Sequence, residues 1–529
     1  MIPNLSNELS NASSKKEKIL RFVTDHERAV GVVFYLILCF CLFFRLSDSY
    51  VGSYDEARHG VNAFEMIRQG NYISNFYNGE YDYWNLKPPL SYYAIMFGYR
   101  LFGYNTFGLR FYSAFSYFLL CILLHLFLRR EFGKLTGLTG LAMLTGSYVL
   151  YFIHGVRTGD ADSLFVLLYA ASILALYLSA RNFNWIHLTG LCFALCFLTK
   201  SWHAFIIAPA VFFYFIFTKG WKRAKWWQYF TFFLSCLIPI GIWALCRYRD
   251  DGVTFFREMV EYDLLNRSSD AIEGHVHSIF FYFAPIFENA PTAVCFLLSL
   301  FYLIYKLVKR QKFSDLSKLC LCAFIPVFLI YSIAKTRIHW YAYPLYVPLY
   351  LAGAVLLART LTVRFSIPDL WRKKNADGTE TPENPVVLHR WEVVKKAVLG
   401  FFWIALAVSV IVSMVGVTGV VYQAHDIWRM QDLILDEAFS VPADGVVFFE
   451  NQHDPGRWQR PEQGQMLWLE WKTSVTRVEE GGWEAFAAYD GQAYILVDED
   501  TFSQKDHTGV EVVCGKYGVM LCRKTAVPV

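Results

Sequence analysis

Apolar runs long enough to cross a bilayer recur along most of this chain, and they constrain everything else about it. A hydrocarbon layer is crossed by about twenty residues of helix, and about eleven such runs can be drawn. They lie near 29–46, 107–128, 135–153, 163–180, 185–199, 202–218, 227–246, 279–305, 318–334, 341–360 and 396–421. Each must be helical, because lipid offers no partner to an open backbone N–H or C=O. The expected class is an all-α polytopic membrane domain.

Basic residues set the orientation. They cluster before Ala29, at Arg129, Arg130 and Lys134, at Arg181, and from Lys219 to Lys225. Further clusters follow from Lys306 to Lys312, at Arg372 to Lys374, and at Lys395 and Lys396. All fall between runs on the same alternate side, so the positive-inside rule places the N-terminus in the cytoplasm and the C-terminal region outside. The run at 185–199 is short, but both flanks of 185–218 are basic. An even number of crossings must lie between them, which makes Lys200 the outer tip of a hairpin. The first run has no small-residue cleavage site behind it and is expected to stay as an uncleaved span.

Residues 1–424 then form the membrane domain, with outer loops at 48–106 and 247–278 and a cytoplasmic linker at 362–395. The end of the first loop, Leu90 to Phe102, suits a helix lying at headgroup depth. Residues 425–529 are polar enough for a small extracytoplasmic domain. Short β-like runs at Gly445–Phe449, Ala493–Val497, Val510–Val513 and Val519–Cys522, with a helix near Ala485, predict an α/β fold.

Composition excludes several functions. The chain is 55% hydrophobic and only 18% charged, where soluble domains are nearer a quarter charged. A formal net charge of +4 is too small to imply nucleic acid, and no nucleic-acid motif, glycine-rich phosphate loop or internal repeat is present. Most of the 12 cysteines lie in or beside apolar runs, as small buried hydrophobes. Cys192 and Cys196 are joined by no histidine or acid, so no metal is expected there. Cys514 and Cys522 either pair in an oxidising compartment or stay free thiols.

The charged residues left over are not cytoplasmic anchors. Asp55, Glu56, Arg58 and Lys87 lie in the first loop, and Arg157, Asp160 and Asp162 precede the fourth run. Lys200 stands at its hairpin tip, Arg249 to His277 in the second loop, and Lys335, Arg337 and His339 at the next outer turn. On the topology above all of them face one water layer. Taken singly each is an ordinary interfacial residue, and Lys87, Lys200 and Lys335 can snorkel. Outer turns should nevertheless be poor in Lys and Arg, and carboxylates entering a span are costly. Together they describe an anionic-ligand site with acid/base groups.

The motifs sharpen this. Gly52-Ser-Tyr-Asp55-Glu56-Ala-Arg58-His59-Gly60 follows the first run, and Asn85-Leu-Lys87-Pro88-Pro89 closes the loop. Arg157-Thr-Gly-Asp160-Ala-Asp162 opens the fourth run, and Lys335-Thr-Arg337-Ile-His-Trp-Tyr341-Ala-Tyr343-Pro344 comes much later. Together they resemble the C-type glycosyltransferases of the protein O-mannosyltransferase and aminoarabinose (lipid A) transferase superfamily, over roughly residues 20–360. The outer domain is similar in placement to that of the aminoarabinose transferases. The resemblance implies that Asp55 is the catalytic base, beside Glu56 and Arg58, with Asp162 and Asp160 as a second acidic site. It implies donor-phosphate contacts from Lys87, Arg58 and Arg267, with Tyr341 or Tyr343 and Lys200 joining them, and a second-loop histidine at His275 or His277. Two positions depart from the pattern: Leu86 stands where the aminoarabinose transferases carry glutamate, and His59 where tyrosine is usual.

The expected reaction is base-assisted inverting displacement at a polyprenyl-phosphate-linked sugar, with a glycolipid, lipopolysaccharide or protein as acceptor. The expected location is a bacterial inner membrane. No cofactor is required by this chemistry; Asp55, Glu56 and the loop histidines are competent ligands for a divalent metal. The rival reading is a transporter or flippase of a polyprenyl-linked or anionic lipid, which would carry its charges near the midplane and show repeated halves.

Overall fold

The computed structural model describes residues 17–49, 51–52, 55–152, 154–266, 277–362, 373–374, 380–381, 385–419, 426–450, 463–473, 475 and 477–525. Helix α1 (Glu27–Phe43) leads to a loop that is itself folded. The loop holds α2 (Asp55–Gln69), the hairpin β1 (Phe76–Tyr77) and β2 (Glu80–Tyr81), and α3 (Leu90–Phe102). A bundle follows: α4 (Thr106–Phe132), α5 (Lys134–Thr145), α6 (Asp162–Ser179), α7 (Trp185–Lys200), α8 (Ile207–Thr218) and α9 (Trp226–Asp251). It is completed by α10 (Ala290–Val308), α11 (Asp315–Ile333), α12 (Tyr343–Thr362) and α13 (Pro385–Thr418).

Among the described residues, eight helical stretches are long and apolar enough to cross a membrane, or nine if the bent pair Glu17–Asp25 and α1 counts as one span. This is fewer than eleven for two physical reasons. Helix α5 has only 12 residues, and residues Trp185–Thr218 run on as 34 helical residues. That last stretch reverses within itself. Lys200 meets Asp162 at one end of the bundle, whereas Arg223, beyond α8, donates to the Ala180 carbonyl at the other. Ser201, with φ +44°, turns the chain, so Lys200 stands at the tip of a hairpin as its basic flanks require. Helix α13 begins at Pro385, inside the expected linker; proline fits the first turn, where its missing N–H costs no bond.

The chain is a multi-pass membrane protein. Its centre is α12, whose spanning stretch is 83% buried, whereas that of α9 is only 11% buried and lies at the rim. Helices α3 and α4 touch through backbone: a Cβ at Gly98 would lie 2.1 Å from the Gly108 carbonyl oxygen, so glycine is required there.

The C-terminal region combines α14 (Asp426–Ile434), α15 (Gln463–Thr473) and α16 (Gly482–Ala488) with a five-stranded sheet. Its strands are β3 (Val446–Glu450), β4 (Arg477–Val478), β5 (Ala493–Asp498), β6 (Val510–Lys516) and β7 (Val519–Lys524), in the order β4-β3-β5-β7-β6. Strands β3 and β5 are parallel, and β5, β7 and β6 pair antiparallel. Strand β5 reads as a continuous apolar run because it is covered on both faces. Cys514 and Cys522 are both free thiols; they face Leu521 and Val512 across the ladder, not each other.

This region does not stand apart from the first loop. Val61, Met66 and Tyr99 share one core with Met466, Leu467 and Leu521. Asn78 exchanges two hydrogen bonds with the backbone of Val478, at 2.9 and 3.1 Å, extending the sheet edge. Arg68 donates to the Val475 carbonyl at 3.0 Å. The C-terminal domain is thereby fixed against α2, the helix that begins at Asp55.

Candidate active site

Helix α2 opens with two acids that play different parts. The Glu56 carboxylate accepts Arg110 Nε at 2.6 Å, Arg110 Nη2 at 3.0 Å, the Gly159 N–H at 2.8 Å and the Gly52 N–H at 3.0 Å. Arg110 in turn donates to the carbonyls of Leu46 and Ser49. Glu56 thus ties the end of α1, the start of α4 and the turn before α6 into one knot. A Cβ at Gly159 would meet the Leu109 side chain at 2.9 Å, so only glycine lets this turn come so close.

Asp55 is the accessible acid. Its side chain is 31% exposed, against 5% for Glu56, 3% for Asp160 and 8% for Asp162. Lys87 Nζ lies 3.4 Å from Asp55 Oδ1 and donates to Asn85 Oδ1 at 3.0 Å. Burial alone would raise the Asp55 pKa, but Lys87, with His154, His59 and Lys200, outweighs it and holds the carboxyl below its usual range. His59 Nδ1 meets the Asp55 carbonyl at 2.7 Å. Burial, and then Lys87, push this histidine down to about 4, so it stays neutral.

The turn between α5 and α6 supplies the other side. His154 has φ +39° and stacks on Trp340, with ring centroids 3.6 Å apart and planes 13° off parallel. Its Nδ1 lies 3.2 Å from Asp160 Oδ2. Donor atoms of Asp55, His154 and Asp160 lie within 4.8 Å of one another. Burial opposes charge on His154, but Asp160, with help from Asp55 and Asp162, raises it to about 9. The same partnership holds Asp160 down against its burial.

Asp162 begins α6 and meets Lys200 Nζ at 2.5 Å. That ammonium lies 5.4 Å from the Tyr341 ring centre, within cation–π reach. Tyr343 is buried and lines, with Asp162, a cavity of 20 Å³ under the site. Five segments remote in sequence therefore converge: Asp55, Lys87, His154 with Asp160, Asp162 with Lys200, and Tyr341.

Other residues singled out from the sequence are held elsewhere. Arg58 makes two 2.8 Å bonds to Asp82 and lies 3.5 Å over the Tyr77 ring; it pins the first loop and its guanidinium is spent on that carboxylate. Glu56 is likewise committed to Arg110. Arg157 donates to four carbonyls, Cys41, Leu42, Phe44 and Arg45, capping α1. Arg337 donates to the carbonyls of Ser332 and His277, and His277 stacks on Phe281. Arg267 and His275 lie outside the described residues.

Two residues were not singled out from sequence. His154 escaped because the turn before the fourth run was read only from Arg157 onward, although His154 stands six positions before Asp160. Arg110 escaped although a charge inside an apolar run is itself a signal.

Comparison with known proteins agrees with this architecture. Residues 86–243 match the family model described as dolichyl-phosphate-mannose-protein mannosyltransferase. The structure matches that of ArnT from Cupriavidus metallidurans bound to undecaprenyl phosphate, with TM-score 0.66 and 14% identity, over 94% of this chain and 98% of that one. The chain shares the fold of that transferase. The apo form of the same ArnT matches with TM-score 0.62 and 14% identity, over 94% of this chain and 99% of that one. The oligosaccharyltransferase of Archaeoglobus fulgidus matches with TM-score 0.52 and 12% identity, over 91% of this chain and 70% of that one. An uncharacterised protein of Aquifex aeolicus (strain VF5) is 27% identical over 315 residues, which is 58% of this chain and 59% of that relative's length.

Proposed function

We propose that this chain moves a sugar from a polyprenyl-phosphate carrier to an acceptor hydroxyl on the outer face of an inner membrane. One observation carries the reading: Asp55, Lys87, Asp160, Asp162 and Lys200 meet at one end of a helix bundle, and Asp55 is the most exposed of the acids. The solved relative that binds undecaprenyl phosphate supports a carrier of that kind. Nucleotide sugars are cytoplasmic, whereas a lipid-linked donor reaches an outward site through the bilayer.

In the proposed reaction the acceptor oxygen attacks the anomeric carbon as the carbon–phosphate-oxygen bond breaks, inverting the centre. Asp55 takes the acceptor proton, help worth typically about 10²–10⁴-fold. Lys87 contacts Asp55 loosely, and its transfer to the donor phosphate would leave Asp55 more basic at the moment it is needed. Polyprenyl phosphate leaves with the bonding electrons, and Lys87 and Lys200 offset its growing charge. The acceptor is a glycolipid, a lipopolysaccharide or a protein side chain. The clustering of charge at bundle ends, not at the midplane, favours transfer over transport.

Asp55, His154 and Asp160 also have the donor chemistry of a divalent-cation site. A cation held there would help neutralise the leaving phosphate. The lysines supply positive charge without it, so transfer is expected to survive chelation with EDTA.

The test is transfer of labelled sugar from a panel of undecaprenyl-phosphate donors by the purified protein to membrane glycolipid and protein fractions. Product formation that falls about a hundredfold or more in Asp55→Asn, at unchanged protein yield, is the expected result. Unimpaired transfer in that variant removes Asp55 from the mechanism, and lipid movement without product supports the flippase.

A further inference from the structure

Two turns at the end of the bundle remote from Asp55, one between α6 and α7 and one between α8 and α9, close on a recess of 400 Å³. Arg181, Asn182 and Asn184 line it from the first turn, Arg223 and Lys225 from the second, and Gln228 from the start of α9. Arg223 ties the turns together by donating to the Ala180 carbonyl at 2.6 Å. Among the described residues, no carboxylate lines the recess.

The hydrogen bonds of the turns decide what the recess presents. A backbone N–H can only donate, so the Lys225 N–H, at 3.0 Å, fixes the Gln228 atom it meets as Oε1. Gln228 Nε2 then donates to Asn184 Oδ1 at 2.9 Å. The Asn184 N–H in turn takes Asn182 Oδ1 at 3.1 Å. Both asparagine oxygens are therefore occupied, and the side-chain groups left over on them are N–H donors.

Positive charge accompanies these donors. Arg181 is balanced by Glu131 at 2.5 Å, a buried acid that lines a different recess. Asp315, at the start of α11, is paired with Lys318 at 2.8 Å and does not line this one. Arg223 meets an uncharged carbonyl, and the Lys225 ammonium meets no described group, so two cations remain uncompensated. Donors and surplus cations without a carboxylate suit an anion with several acceptor oxygens, as phosphate has. Tryptophans set the depth. Trp227 lines the recess, and Trp226 and Trp221 beside it are 79% and 51% exposed. Such indoles belong at the level of lipid headgroups.

We propose that this recess seats the phosphate of an anionic phospholipid, held by Arg223, Lys225 and the amides of Asn182 and Asn184. It is not the donor's phosphate site. Helix α7 has 16 residues, so Trp185 at the recess end and Lys200 beside Asp162 are roughly 22 Å apart. The inference does not depend on the transfer reaction.

Native mass spectrometry of the full chain in detergent tests it, with phosphatidylglycerol, phosphatidylcholine and inorganic phosphate as separate probes. Phosphatidylglycerol should be retained in preference to phosphatidylcholine. Lys225→Gln, at a side chain with no described bond, should weaken that retention about fivefold, the worth of one cation at a charged surface. Arg223→Gln should act likewise, and Lys312→Gln, between α10 and α11, should change nothing. Equal retention of the two phospholipids overturns the proposal, as does retention that neither Lys225→Gln nor Arg223→Gln weakens. Equal weakening by Lys312→Gln overturns it too, because the attraction would then belong to a general basic surface. Displacement of phosphatidylglycerol by millimolar inorganic phosphate would make the recess a site for a free anion and overturn the lipid.

Discussion

Lys87 Nζ stands 3.4 Å from Asp55 Oδ1, across a loop that folds back on itself around Asp82. The contact is long for a charge-assisted bond, and the two side chains keep 20% and 31% of their surface open. It joins two groups that both have somewhere else to go, Lys87 to a phosphate and Asp55 to a proton. Lys87→Ala should therefore lower kcat/KM for a polyprenyl-phosphate donor by about 10²-fold or more, and Lys87→Arg should restore part of it. Steady-state transfer assays at fixed acceptor check this. A Lys87→Ala enzyme with wild-type kcat/KM would show that the phosphate is held by other residues.

The partnership between Asp162 and Lys200 is of another kind. Both side chains are 8% exposed and the contact is 2.5 Å. Removing one member leaves an uncompensated buried charge, a loss of about 3–5 kcal/mol. Lys200→Met should lower the thermal unfolding temperature markedly in detergent. The double variant Asp162→Asn with Lys200→Met should regain much of that stability without regaining activity. A double variant no more stable than Lys200→Met would mean that the pair adds nothing beyond its individual charges.

Much of this site was legible in the sequence because membrane physics marks it. A carboxylate at the mouth of an apolar span, or a lysine at the tip of an outer hairpin, is conspicuous where most residues are apolar, and Asp162 and Lys200 were found that way. The fold of the C-terminal domain was also legible, since β3, β5, β6 and β7 each carry an apolar run of strand length. What could not be read was which charge neutralises which. Glu56 and Arg58 sit in the motif beside Asp55 and look equally functional. Their partners Arg110 and Asp82 are 54 and 24 residues away, and only the folded loop shows that both are structural ties. His154 was hidden for the same reason, because its place depends on a stack against Trp340.

Those ties predict a difference between neighbouring acids. Glu56→Gln loses half of a bidentate bond to a buried arginine that is 2% exposed, which should cost stability of about 3 kcal/mol or more. Asp55→Asn, at a partly open position, should leave the unfolding temperature nearly unchanged while removing transfer. Parallel measurement of Tm and of product formation separates the two. Equal loss of Tm in both variants would make Asp55 a structural residue as well.

The joint between α2 and the C-terminal domain holds an acid that should respond to pH in the unusual direction. Glu470, on α15, is 1% exposed, and Arg68 Nη2 lies 3.7 Å from it and 3.5 Å from Glu65. Burial first, and then the nearby Glu65, push the Glu470 carboxyl well above the ordinary 4.5. The folded chain therefore keeps a proton that the unfolded chain releases above about pH 4.5, and protonation favours folding. Stability from this group is complete below that pH and is lost as pH climbs through the raised value. The C-terminal domain should unfold or detach more readily at pH 8 than at pH 5.5, and Glu470→Gln should be the more stable protein at pH 8. Limited proteolysis of the full chain across this range reads the joint directly. If Glu470→Gln were cut as fast as wild type at pH 8, the buried carboxyl would not be what loosens it.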